Sequence, residues 1–262
     1  LAPSSMDCIN FLEIRRRTLD VNAELTRTRT REDSLLADKI SRLHIYFSLL
    51  RRGLTEDEKS RLDVELMRLY ERFGITRDND SLYDEYGSLK PQPTPADFYE
   101  LLNEREETKS LAGILSRFVN GSAANLGGET NVDMNNKYIV LDISEIGKEL
   151  LPFGTLLAAD ICLDYCRMSR AENKVVILDE VWSLIGAGSN AQAAEFVLEL
   201  FKTVRGYGAS AIAASQDLED FFALENGKFG KALLNNSRIK FALMTEPEEA
   251  MLIQQHYHLT DE

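Results

Sequence analysis

Between residues 34 and 74, apolar side chains return every three or four positions. Leu36, Ile40, Leu43, Phe47 and Leu50 form one such stripe, the spacing that keeps side chains on one face of a helix. Gly53 ends that helix, and Thr55-Glu56-Asp57-Glu58 has the form of a capping box, which starts a new helix at Thr55. Leu62, Leu66, Leu69 and Phe73 carry the stripe on to Gly74, so two antiparallel helices joined by a short glycine turn are predicted. Residues 76–94 are polar, with three prolines nearby, and predict a loop. Thr94-Pro95 caps another helix with proline at its first position, and a short helix follows over 109–119. Residues 30–120 therefore read as an all-helical insert.

After a loop from Asn120 to Met134 the pattern alternates. Tyr138 to Asp142 predicts a strand, 151–168 a helix, 174–179 a strand, and 190–206 a helix with Ala193, Phe196, Leu200 and Val204 inward. Small residues from Ala209 to Ser215 predict another strand, Arg238 to Met244 a further one, and Pro247 to Tyr257 a final helix. Such alternation makes an α/β fold, a parallel sheet flanked by helices on both faces. Near the start, Cys8 to Ile14 is a short apolar piece that reads as an edge strand or the end of a loop. Arg15-Arg16-Arg17 reads as a solvated basic spot in preference to a phosphate or partner contact.

Composition narrows the class. The 262 residues are 44% hydrophobic and 28% charged, as in an ordinary globular protein. The longest apolar run, Leu150 to Cys162, is broken by Pro152, Gly154 and Asp160, well short of the ~20 residues that span a bilayer. The net charge of −13 counts against wrapping DNA, so no direct nucleic-acid binding is expected of this chain, though a basic pore in an oligomer stays open. Three cysteines, Cys8, Cys162 and Cys166, make no disulfide framework and fit a reducing cytoplasm. Cys162 and Cys166 share a helix face without further ligands nearby and read as buried helix cysteines; His256 and His258 read as structural. The first residues have no signal-peptide pattern and no initiator methionine.

The chemistry sits at strand ends. Val175-Val176-Ile177-Leu178-Asp179-Glu180-Val181-Trp182 delivers two carboxylates to the C-terminal end of a buried strand, where open α/β sheets keep their sites. In nucleotide triphosphatases the first acid of such a pair holds Mg²⁺ through water, and the second polarises the attacking water. Asp142 also ends an aliphatic stretch but lacks the second acid. Gln216 ends the Ala209 strand, and a parallel neighbour would bring its amide beside the acids; the alternative is a loop glutamine capping the next segment. Arg205, in Arg205-Gly206-Tyr207-Gly208, either reaches into a neighbouring subunit's site or pairs with its helix dipole, and Arg238 is a weaker candidate for the same duty. No Gly-x-x-x-x-Gly-Lys-Ser/Thr loop is present: Gly121 to Gly128 and Gly186 to Ser189 lack a lysine, and Gly227-Lys228 lacks the spacing and the hydroxyl.

Leu178-Asp179-Glu180-Val181-Trp182, the Arg205 to Gly208 turn, Ala214-Ser215-Gln216-Asp217 and Ile9-Asn10-Phe11-Leu12 together resemble the C-terminal ATPase domain of conjugative type IV secretion ATPases, the VirB-four/TraC-like class. The helical insert and Tyr138 to Asp142 fit as well, so the resemblance spans nearly the whole chain. It implies a RecA-like motor that hydrolyses ATP with Mg²⁺ and assembles as a hexamer at the inner face of the cell membrane, in the cytoplasm, with other secretion components as partners. It implies Asp179 and Glu180 as Walker B acids, Gln216 as sensor and Arg205 as a trans arginine. Residues 1–29 become the edge of the ATPase domain, 30–120 the insert and 121–262 its core. In the family the phosphate loop precedes the point where this sequence begins, so N-terminal truncation is expected. Two rivals stand beside this reading: a DNA-translocating coupling protein, and a non-catalytic interaction module of the secretion channel.

Overall fold

Capping decides where the first helices begin. Helix α1 (Leu35–Leu50) starts at Ser34, whose hydroxyl accepts from Ala37 N. Helix α2 (Glu56–Arg72) starts at Thr55, where Thr55 Oγ1 accepts from Glu58 N at 3.2 Å and Glu58 Oε2 accepts from Thr55 N at 3.0 Å. Thr94 and Asp97 repeat the reciprocal arrangement at α3 (Pro95–Asn103), and α4 (Lys109–Val119) follows. Each box satisfies backbone N–H groups that a helix start leaves without partners. The four helices lie where the hydrophobic pattern puts them, although Leu50 and Phe73 are only half-buried. The predicted loop between α2 and α3 contains a 3₁₀ turn, Asn79–Leu82, and an isolated bridge between Tyr83 and Leu89.

The computed structural model describes residues 6–15, 34–51, 53–134, 136–147, 149–185, 191–216, 218–243, 250–251 and 253–254. They fall in two units, Leu1–Gly154 and Thr155–Glu262. In the first, Phe11 is fully buried and its ring lies 5.7 Å from Tyr46, 5.6 Å from Phe118 and 5.2 Å from Phe153. The short apolar piece near the start is therefore core, held without a strand ladder. Asn10 replaces the ladder: its side chain donates to Pro93 O at 2.8 Å and accepts from Leu12 N at 2.9 Å, and Tyr70 OH donates to Leu12 O. Arg15 is not a solvated cation: it donates to Asn10 O at 2.6 Å, with its side chain 8% exposed. Arg16 and Arg17 lie outside the described residues. Gly127 passes so close to Phe118 that a Cβ there would sit 1.8 Å from Phe118 O.

Helix α5 (Leu151–Met168) runs from the end of the first unit into the second. Strand β1 (Lys174–Leu178), α6 (Trp182–Ile185), α7 (Ala191–Thr203), β2 (Ala209–Ala213), α8 (Leu218–Phe221) and α9 (Lys228–Asn236) follow. Ala193, Phe196, Leu200 and Val204 are all buried. β1 and β2 pair in parallel, Lys174 opposite Ala209 through Leu178 opposite Ala213.

The sheet among the described residues has these two strands alone. The segments 138–142 and 238–243 form no ladder, contrary to their apolar pattern. A strand persists by bonding a neighbour and burying a face; here Tyr138 and Phe241 are each 85% exposed. One face of the pair is also bare: Val176 and Leu178 are buried, whereas Val175 and Ile177 are 62% and 64% exposed. Of the predicted final helix, Ala250, Met251, Ile253 and Gln254 are described and helical; the rest lies outside the described residues, as do His256, His258 and Gly186 to Ser189.

Candidate functional site

The strand ladder continues one step beyond both strands. Ala214 N donates to Leu178 O at 2.9 Å and Val181 N donates to Ala214 O at 3.2 Å. Because the strands run parallel, Asp179, Glu180 and Gln216 all leave the same, C-terminal end of the sheet. Between the two anchoring bonds the backbone turns sharply: Glu180 has φ +53°, a left-handed conformation that costs a residue with a bulky side chain about 1–3 kcal/mol. Val181, fully buried, pins the turn from below.

The turn fixes both carboxylates. Asp179 Oδ1 accepts from Glu180 N at 3.0 Å, and Asp179 is exposed. Glu180 is half-buried and its Oε2 accepts the indole N–H of Trp182. Gln216 is exposed one residue past Ser215. The arrangement presents two acids and an amide to solvent on one rim, the acids held by a strained backbone and an indole donor.

Arg205 is not on that rim. It lies in a 3₁₀ turn, Val204–Tyr207, that precedes β2, at the end of the sheet where β1 begins. Five residues of strand at about 3.3 Å each put about 16 Å between the two ends. Arg238 is exposed in the irregular segment after α9, and among the described residues the strand expected to follow it is absent. Asp142 is exposed, and the Ser144 backbone N–H holds its carboxyl below the usual range. Gly227 begins α9 behind a 3₁₀ turn, Leu224–Gly227, and follows no strand.

The cysteines are free thiols. Burial pushes Cys162 up to about 11, with Cys166 adding to it. Burial also raises Cys166 and Cys8.

The sequence reading missed Trp182 as the partner of Glu180 and the left-handed turn between them. The tryptophan two residues on was a visible signal; the backbone angle left none. It also missed Arg170, Lys174 and Lys202, which the fold gathers around Tyr207 from the turn after α5, the start of β1 and the end of α7.

Comparison with known proteins agrees with the fold. The TraG P-loop domain family matches residues 103–260. Among solved structures, VirB4 of Thermoanaerobacter pseudethanolicus superposes with a TM-score of 0.81 at 28% identity, covering 100% of this chain and 68% of that one. No curated protein matches. The chain belongs to the TraG P-loop domain family. Within it, the chain is a conjugative type IV secretion ATPase of the VirB4/TraC class, as its motifs imply.

Proposed function

We propose that this chain supplies the hydrolytic acids of a RecA-like motor domain that uses ATP to power conjugative transfer or type IV secretion. The observation that carries the reading is the common strand end shared by Asp179, Glu180 and Gln216, locked by the Val181–Ala214 and Ala214–Leu178 hydrogen bonds.

The donor set suits Mg²⁺. Among the described residues no cluster of three or more His, Cys, Asp or Glu could cage a metal. Magnesium at nucleotide sites takes one or two carboxylates and completes its shell with substrate phosphates and water, and the exposed Asp179 fits that duty through a bridging water. When bound, Mg²⁺ would be held by Asp179 through water and would offset the negative charge that develops on the phosphate. Glu180 then orients and polarises the attacking water, with its other oxygen pinned by Trp182. Gln216 donates its amide to a γ-phosphate oxygen and helps align the same water.

Arg205, at the far end of the sheet, serves a neighbouring copy's nucleotide within a hexamer; Arg238 is the weaker candidate for that role. Residues 1–29 and 121–262 belong to the ATPase domain and 30–120 to an inserted helical subdomain. The chain has no glycine-lysine phosphate loop, and without that grip on the phosphates the 262 residues alone are inactive. No helix among the described residues is long and apolar enough to cross a membrane; the motor sits in the cytoplasm at the inner membrane face through other secretion components.

The test is ATP hydrolysis by the full-length protein. Glu180→Gln slows turnover about 10²–10⁴-fold, the range of a lost general base, while nucleotide binding persists. An unchanged rate removes Glu180 from the chemistry.

A further inference from the structure

We infer that the second unit carries another site, for a phosphate-bearing anion, in the cleft lined by Arg170, Lys202, Thr203, Arg205, Gly206 and Tyr207. The inference does not rest on hydrolysis at Asp179 and Glu180. The cleft lies where β1 and β2 begin, about 16 Å along the strands from the carboxylates, too far for one phosphate group to touch both.

Two turns build it, and three contacts hold them together. Lys174 Nζ donates to Ser169 O, to Glu172 O at 3.1 Å and to Tyr207 O at 3.3 Å, tying the α5–β1 turn to the turn before β2. Gly208, at φ +71°, lets the second turn approach so closely that a Cβ there would sit 3.0 Å from Arg170 O. The guanidiniums of Arg170 and Arg167 lie 5.2 and 5.9 Å from the centre of the Tyr207 ring, which holds them in place.

The charge is concentrated against the trend of the molecule. The chain is −13 overall, yet more than half the lysines and arginines of the second unit, Arg167, Arg170, Lys174, Lys202 and Arg205, gather around this tyrosine. Lys174 is satisfied by carbonyls, and Arg167 lies 3.8 Å from Glu199. Among the described residues, no carboxylate lies within ion-pair distance of Arg170, Lys202 or Arg205. The three line one cleft without a counter-charge, so an anion seated there is attracted by all of them. Guanidinium forks match phosphate oxygens in geometry. Nothing lies within 4 Å of where a Gly206 Cβ would stand, so the floor of this open surface cleft, about 370 Å³ in volume, is accessible to a ligand.

Calorimetric titration of the full chain with inorganic pyrophosphate, without divalent metal, tests this. The doubly substituted Arg170→Ala/Lys202→Ala chain binds about tenfold or more weakly, in line with the loss of charge-assisted hydrogen bonds. Arg170→Lys/Lys202→Arg, which keeps both charges, retains binding and guards against misfolding. Asp179→Asn leaves it unchanged, which separates this cleft from the carboxylate rim. A parallel arm floats the protein with phosphatidylcholine vesicles with and without phosphatidylglycerol. Flotation that needs phosphatidylglycerol, Arg170 and Lys202, in a chain that ignores pyrophosphate, assigns the phosphate to a lipid headgroup and supports the site. Binding of neither probe, or binding that survives the double alanine substitution, overturns it.

Discussion

Glu180 carries the largest local cost in the candidate site, since a left-handed backbone at a residue with a long side chain persists only where its surroundings enforce it. Here the Val181 N–H to Ala214 carbonyl bond and the buried Val181 side chain enforce it. The strain aims the carboxylate, and the Trp182 indole holds one of its oxygens. Trp182→Phe keeps the ring and removes the donor, so in the full-length protein it lowers kcat for ATP about tenfold or more and leaves nucleotide affinity near the native value; an equal fall in affinity would assign the indole to nucleotide binding instead. Cys162 offers a check of a different kind. With its thiol pushed up to about 11 by burial, the native chain resists iodoacetamide at Cys162 at pH 8 and reacts as pH approaches 11. Unfolding in urea brings the thiol back to its ordinary value, and alkylation at pH 8 becomes fast. The sign for stability follows: the raised folded value makes this contribution complete below the ordinary thiol value of 9.0 and lost as pH rises toward 11.

Among the elements, helices announced themselves and strands did so only in part. The boxes at Thr55 and Thr94 name their helix starts in four residues because the cap bonds are local. The stripe through Leu36, Ile40, Leu43 and Phe47 sits buried as its period demands. The strand β1 was legible too, and so was its partnership with β2. The stretches around Tyr138 and Phe241 carried the same apolar signal without a ladder, because a strand depends on a neighbour distant in sequence and its own residues cannot declare one. The candidate rim was legible for the same reason that β1 and β2 were: the carboxylates and Gln216 follow strands whose parallel pairing fixes a common end. The basic cleft was not, since it joins residues 167–174 with 202–207 through a lysine's bonds to carbonyls. The segment around Phe11 shows what tertiary context adds, as an apolar heptad without strand or helix became the centre of a ring cluster with Tyr46, Phe118 and Phe153. Phe11→Ala removes the hub and costs about 3–5 kcal/mol of stability, as for other fully buried rings, read from the urea midpoint. A loss under about 1 kcal/mol would mean that the other rings close the gap.

Across the whole molecule, acidity and family place the chain in one setting. A net charge of −13 disfavours a sheath around nucleic acid, while the TraG P-loop match and the likeness to VirB4 along the full chain place it among type IV secretion ATPases. Its second unit divides positive and negative chemistry between opposite ends of one small sheet: acids and an amide where the strands finish, arginines and lysine where they start. On the readings proposed above, the carboxylate rim faces the nucleotide and the basic end faces a phosphate-bearing anion. The most direct test is a crystal structure of the full-length protein with Mg²⁺ and a non-hydrolysable ATP analogue. The γ-phosphate is predicted on the rim after β1 and β2, with Asp179 reaching the metal through water and Glu180 and Gln216 within one water of the terminal phosphorus. A nucleotide bound away from that rim, with Glu180 facing only Trp182, would contradict the account.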